Sequence, residues 1–114
     1  MIPTDDTDDD AIFAYADGIP LTAVHPGQTV AAELAARGLT AHRAAVLMRI
    51  PANRLGQIIA GKRGITADTA LRLARLLGPG AQFWMNLQAQ YDLATTERDH
   101  GPTIRSEVPE LSRA

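Results

Sequence analysis

The chain contains no cysteine. That excludes a disulfide framework and thiol chemistry, and it fits a reducing, cytoplasmic setting. Aromatic residues are scarce: Phe13, Tyr15, Phe83, Trp84 and Tyr91 complete the set. A core must therefore be built from Ala, Leu, Ile and Val, which suits short helices packed closely. No stretch approaches the roughly 20 apolar residues of a membrane span. The start is acidic rather than basic, so it does not read as a secretory signal. Lys and Arg are missing from residues 1–25, and Asp and Glu are missing from residues 37–63.

What is present fits one domain: 114 residues, 46% of them apolar. The net charge of −2 hides a strong asymmetry. Asp5, Asp6, Asp8, Asp9, Asp10 and Asp17 stand near the start, whereas Arg37, Arg43, Arg49, Arg54, Lys62 and Arg63 fill the middle. A basic block of that purity gives a positive surface wherever its side chains reach water.

Residues 1–24 read as an acidic, mostly disordered extension, because the first ten carry too little apolar surface to offset chain entropy. Within it, Asp17-Gly18 lies between short apolar runs, a hairpin signal, and Pro20 weakens that signal. The segment is expected to be extended, with a hairpin over 12–24 as the alternative. Residues 25–96 form the folded domain. Pro26 suits a first helical turn; Ala31, Val30, Leu34 and Ala35 make a stripe, and Gly38 stops it. Thr40 looks like an N-cap for a second helix carrying Ala44, Ala45, Leu47 and Met48. After a break at Arg49-Ile50-Pro51, a third helix over about 52–60 turns Leu55, Ile58 and Ile59 inward. Thr66 caps a fourth, with Asp68 in its first turn and Ala70, Leu71, Leu73, Ala74 and Leu77 buried. A fifth is expected from Ala81 to about Thr95, with Phe83, Trp84, Leu87 and Tyr91 at helical spacing. Residues 97–114 read as a loose tail. The fold class is all-α, five helices with short connections.

Residues 40–59, TAHRAAVLMRIPANRLGQII, carry the functional signal. Two short helices are separated by a tight turn, with Ala45 small at the crossing and Ile50 able to plug the turn. This spacing suits a helix-turn-helix, which presents its second helix to the major groove. Ala52, Asn53, Arg54 and Gln57 then project outward. Arg pairs bidentately with guanine, and Asn or Gln with adenine. Thr40, His42, Arg43, Arg49, Lys62 and Arg63 are placed to meet phosphates, with the helix start at Thr40 a natural anion site. Positive φ at Arg49 would cost on the order of 1 kcal/mol, unless an ordinary turn is used.

The stretch from His25 to Leu93 resembles the HigA antitoxins of the lambda repressor-like (Xre) helix-turn-helix class. HPG opening the first helix, IPANRLGQIIAGKRGITADTALRLARLLG and FWMNLQAQYDL carry the resemblance. It implies a homodimer that binds double-stranded operator DNA at an inverted repeat. It also implies a HigB/RelE-type mRNA endonuclease toxin as partner. It places Ala52, Asn53, Arg54 and Gln57 on the recognition helix, and Lys62 and Arg63 on a backbone-contacting loop. It places Phe83, Trp84, Leu87 and Tyr91 at the dimer interface, for which the residues alone leave core packing equally open. The family commonly has Gln, Leu and Gly where this chain has Ala41, Ala44 and Arg49. The extension before His25 is longer than the family leads one to expect. Its apolar residues Ile12, Phe13, Tyr15, Ile19 and Leu21 are candidate toxin contacts.

A stand-alone repressor with no toxin is the alternative, and residues 40–63 do not separate the two. An enzyme finds little support. His25, His42 and His100 lack metal-ligand spacing, no phosphate-cradling glycine loop exists, and Ser106 and Ser112 sit in the expected tail. No cofactor, metal or membrane is called for.

Overall fold

The computed structural model describes residues 15–16, 19–20 and 24–111. The element order is β1 (Tyr15–Ala16), β2 (Ile19–Pro20), α1 (Pro26–Ala36), α2 (Ala41–Met48), α3 (Ala52–Ile59), α4 (Ala67–Leu77) and α5 (Ala81–Glu107). The chain divides into two compact units, Val24–Tyr91 and the segments on either side of it.

In the first unit, each helix starts where a local signal dictates. His25 caps α1, its Nδ1 accepting from the Gly27 N–H at 2.9 Å. Thr40 caps α2 through the Arg43 N–H, and Thr66 caps α4 through the Thr69 N–H. Val30, Leu34, Ala44, Ala45, Met48, Ile50, Leu55, Ile58, Ile65, Ala70, Leu73, Leu77 and Trp84 form one core. Full burial of a Leu or Ile is worth about 1.5–3 kcal/mol, so Leu55 and Ile58 alone fix α3 by one face. Gly27 permits the closest approach: a Cβ there would lie 1.9 Å from the Ile58 carbonyl oxygen. The backbones of α1 and α3 therefore touch directly.

Three expectations about burial are corrected. Ala35 is exposed rather than part of the α1 stripe. Leu47 and Leu71 are exposed, Leu71 to 64%. Both helices use a narrower inward face than their apolar residues offer. Trp84 is core, 0% exposed, with its indole N–H donating to the Gly78 carbonyl at 3.3 Å.

In the second unit, β1 and β2 pair antiparallel, Tyr15 with Pro20 and Ala16 with Ile19. The hairpin alternative thus has two residue pairs, within the wider span of 12–24; the remaining residues of that span up to Ala23 lie outside the described residues, as does the expected disorder of residues 1–10. Helix α5 does not end near Thr95 but continues to Glu107, past Pro102. The expectation of a loose tail over 97–114 is therefore replaced by helix for residues 97–107. A mid-helix proline loses one backbone hydrogen bond and crowds the carbonyl four residues back. Here small, buried Gly101 precedes it, the Glu97 side chain folds against that glycine, and Arg105 bridges back to Glu97.

Candidate nucleic-acid interface

The ends of α2 and α3 share one hydrogen-bond pattern. At the end of α2, the Ile50 N–H reaches the Ala45 carbonyl (3.1 Å) and the Arg49 N–H reaches Val46 (3.2 Å). At the end of α3, the Lys62 N–H reaches Gln57 (2.8 Å) and the Gly61 N–H reaches Ile58 (3.0 Å). Both are Schellman closures, which need a left-handed residue just past the helix. Gly61 supplies it at φ 79°, a conformation that suits glycine. Arg49 supplies it at φ 58°, ψ 45°, and is the non-glycine residue with positive φ among the described residues. The ordinary-turn option for Arg49 is therefore not the one taken. Ile50 and Ala45, where such a closure places its apolar pair, are both buried in the core. The turn is also held from α4: Arg72 donates to the Met48 carbonyl (2.9 Å) and to Asp68 (2.9 Å).

With Leu55 and Ile58 inward and about 100° between residues, Asn53 points furthest outward from α3. Gly56 and Gln57 flank it, while Ala52 and Arg54 lie on the shoulders. Ala52, Asn53 and Gly56 are exposed; Gln57 and Arg54 are half-buried. Arg54 is the least outward of the four residues expected to face bases. It lines a cleft of about 250 Å³ with Arg63, Gly64, Thr66, Asp68 and Thr69. Pro51 gives α3 no side-chain cap, so its first N–H groups stay open to an anion.

Thr40, His42, Arg43, Arg49, Lys62 and Arg63 are all exposed. The Thr40 hydroxyl already serves the Arg43 N–H at 3.1 Å, so the start of α2 offers fewer open donors than its sequence suggests. Arg63 Nε donates to Gln57 Oε1 at 2.9 Å. The Asp68 carboxyl is held below its ordinary range, chiefly by the Arg72 hydrogen bond, with the fields of Arg72 and Arg54 adding to it against partial desolvation.

Of the residues expected at a dimer interface, Trp84 belongs to the core and Leu87 packs against it. Tyr91 is half-buried, edge-on to His25 with centroids 4.8 Å apart. Phe83 stays 39% exposed and stands edge-on to Trp84. Among the candidate toxin contacts, Tyr15 and Ile19 fall in the paired strands, and Ile12, Phe13 and Leu21 lie outside the described residues. Sequence reasoning missed Arg72, the close approach at Gly27 and the tie between Arg63 and Gln57, and it read Asp68 only as a first-turn carboxylate. The i,i+4 spacing of Asp68 and Arg72 was the one available hint. No group of three or more His, Asp or Glu among the described residues could hold a metal. No helix among them is long and apolar enough to cross a membrane.

Two short helices joined by a tight turn, the second outward-facing and polar over an apolar underside, define a helix-turn-helix protein of the lambda repressor-like class. Residues 30–79 match the family described as Helix-turn-helix. Virulence-associated protein I of Dichelobacter nodosus is 45% identical over 80 residues, 69% of this chain and 74% of that protein. An addiction module antidote protein of the HigA family from Coxiella burnetii is 42% identical, with TM-score 0.74 over 77% of this chain and 97% of that one. The Pseudomonas aeruginosa antitoxin HigA, solved with the higBA promoter, is 36% identical, with TM-score 0.77 over 80% of this chain and 100% of that one. The chain belongs to the HigA-type family of helix-turn-helix antitoxins.

Proposed function

We propose that the chain is a non-enzymatic antitoxin and autorepressor that binds its own operator as a dimer and neutralises a HigB/RelE-type toxin. The DNA-reading part rests on one observation above the rest. Asn53 and Gln57 stand outward on a helix whose other face is locked into the core, within a stretch, residues 37–63, that carries six Lys and Arg and no Asp or Glu. Asn53 and Gln57 read base edges, Arg54 serves as a shoulder contact, and Thr40, His42, Arg43, Arg49, Lys62 and Arg63 meet phosphates. Phe83 is an exposed apolar residue of α5, beside the buried Trp84, and is offered to a second copy. The antitoxin part is supported by likeness to HigA proteins, one of them solved on its promoter.

The test is fluorescence anisotropy with DNA from upstream of the protein's own gene, repeated across salt. Affinity should fall with salt at a slope of about −0.9 per neutralised phosphate. The protected site should be an inverted repeat with half-sites ~34 Å apart. Equal affinity for unrelated duplexes would overturn sequence-specific repression. Co-purification with the product of an adjacent gene for a small basic protein tests the toxin. Its failure would leave a stand-alone repressor.

A further inference from the structure

Gln57 and Arg63 would ordinarily be assigned separate tasks, one facing bases and one facing phosphate. The structure joins them. Arg63 Nε donates to Gln57 Oε1 at 2.9 Å, and the Lys62 N–H donates to the Gln57 backbone carbonyl at 2.8 Å. The left-handed turn at Gly61 brings the loop back over the helix. The loop is thus tied to Gln57 through both side chain and backbone.

A glutamine amide has an acceptor oxygen and a donor NH2 of nearly equal size. Free to rotate, it offers either to a base edge. A guanidinium has donors only. Turning the Gln57 amide over would set its NH2 against the Arg63 N–H, donor against donor, and would lose a charge-assisted bond. The bound oxygen therefore faces the loop, and the NH2 is left to face out. Because Arg63 uses Nε for this, its two terminal nitrogens remain for a phosphate.

We propose that Arg63 is a specificity-determining positioning residue: it holds the Gln57 amide in one of its two orientations, so that the loop sets which base edge α3 accepts. A donor-presenting Gln57 selects an edge with acceptors, such as purine N7, guanine O6 or thymine O4, and rejects the cytosine N4 donor. This rests on the DNA-reading proposal above.

The experiment measures binding of intact protein to a library of all single base-pair substitutions in the operator. Wild type, Arg63→Met, Gln57→Ala and the double variant are compared. Arg63 is exposed, so its replacement leaves the fold intact, which circular dichroism checks. Arg63→Met should weaken binding to every sequence by a similar factor, through the lost charge. It should in addition flatten preference by about 5-fold or more at one base pair, the pair that Gln57→Ala also flattens. In the Gln57→Ala background, Arg63→Met should change no base preference. In the DNA-free protein, the Gln57 side-chain amide resonances should shift on Arg63→Met. Uniform weakening with the preference at that pair intact would overturn the proposal, as would a change of base preference caused by Arg63→Met in the Gln57→Ala background. A wild-type protein indifferent to every substitution would instead overturn sequence reading itself, and this role with it.

Discussion

Replacing Arg49 with glycine should make the protein more stable and its grip on DNA weaker. Arg49 sits at φ 58°, ψ 45°, the left-handed position of the closure that ends α2. A side chain there costs about 1–2 kcal/mol. Glycine removes that strain but brings about 0.5–1 kcal/mol of extra unfolded-chain freedom. The difference centres on about 0.75 kcal/mol of net stabilisation, which raises Tm by ~3–6 °C in a domain of this size. The α3 closure, with the same hydrogen bonds and Gly61 at the equivalent place, is the internal control. On DNA, loss of one phosphate-facing charge per protomer should reduce the salt slope of the dimer by about 1.8, at about 0.9 for each phosphate. Thermal melts followed by circular dichroism, and anisotropy titrations at several salt concentrations, read the two effects separately. A Tm equal to or below wild type would refute the strain argument. An unchanged salt slope would show that Arg49 meets no phosphate. If both effects appear, the chain retains a strained residue where its charge serves binding.

Four further outcomes follow from the same geometry. Asn53→Ala should weaken operator binding by about 1–3 kcal/mol and relax preference at one base pair, read by anisotropy on substituted duplexes; undiminished affinity would remove it from the reading face. Gly27→Ala should destabilise the domain by about 1–3 kcal/mol in urea unfolding, because its new methyl meets the Ile58 carbonyl and forces α1 from α3. Asp68→Asn should blunt the acid sensitivity of stability. Its carboxyl is depressed in the fold, so its contribution is present above about pH 4 and is lost as pH falls through the lower folded value; an unchanged acid limb in melts from pH 2 to 6 would contradict this. Removal of residues 1–24 should leave operator affinity unchanged and reduce toxin retention in a pull-down.

The helix-turn-helix was legible because its signals are local. Thr40 and Thr66 act as caps, Gly61 stops α3, and Leu55 and Ile58 at three-residue spacing mark its inner face. What stayed hidden depends on distant partners. Leu71 has the spacing of a core residue, yet α4 buries its Ala70 and Leu73 side instead. Trp84 could be interface or core until the Gly78 carbonyl was found to take its N–H. Arg72 reads as a solvent-facing helix residue, but its second hydrogen bond crosses to the last carbonyl of α2. The polar, charged stretch after Thr95 reads as a tail, and the Glu97 and Arg105 pairing that accompanies the continued helix spans two turns. For Arg54 and Gln57, sequence gave the helix, while the loop after it decides how far each side chain reaches.

At Gly27 no side chain stands between α1 and α3, only backbone against the Ile58 carbonyl. Most helix contacts are cushioned by rotamers that give way when one rod slides. At that point no rotamer can yield, so a tilt at the start of the first rod presses directly on the end of the one facing outward.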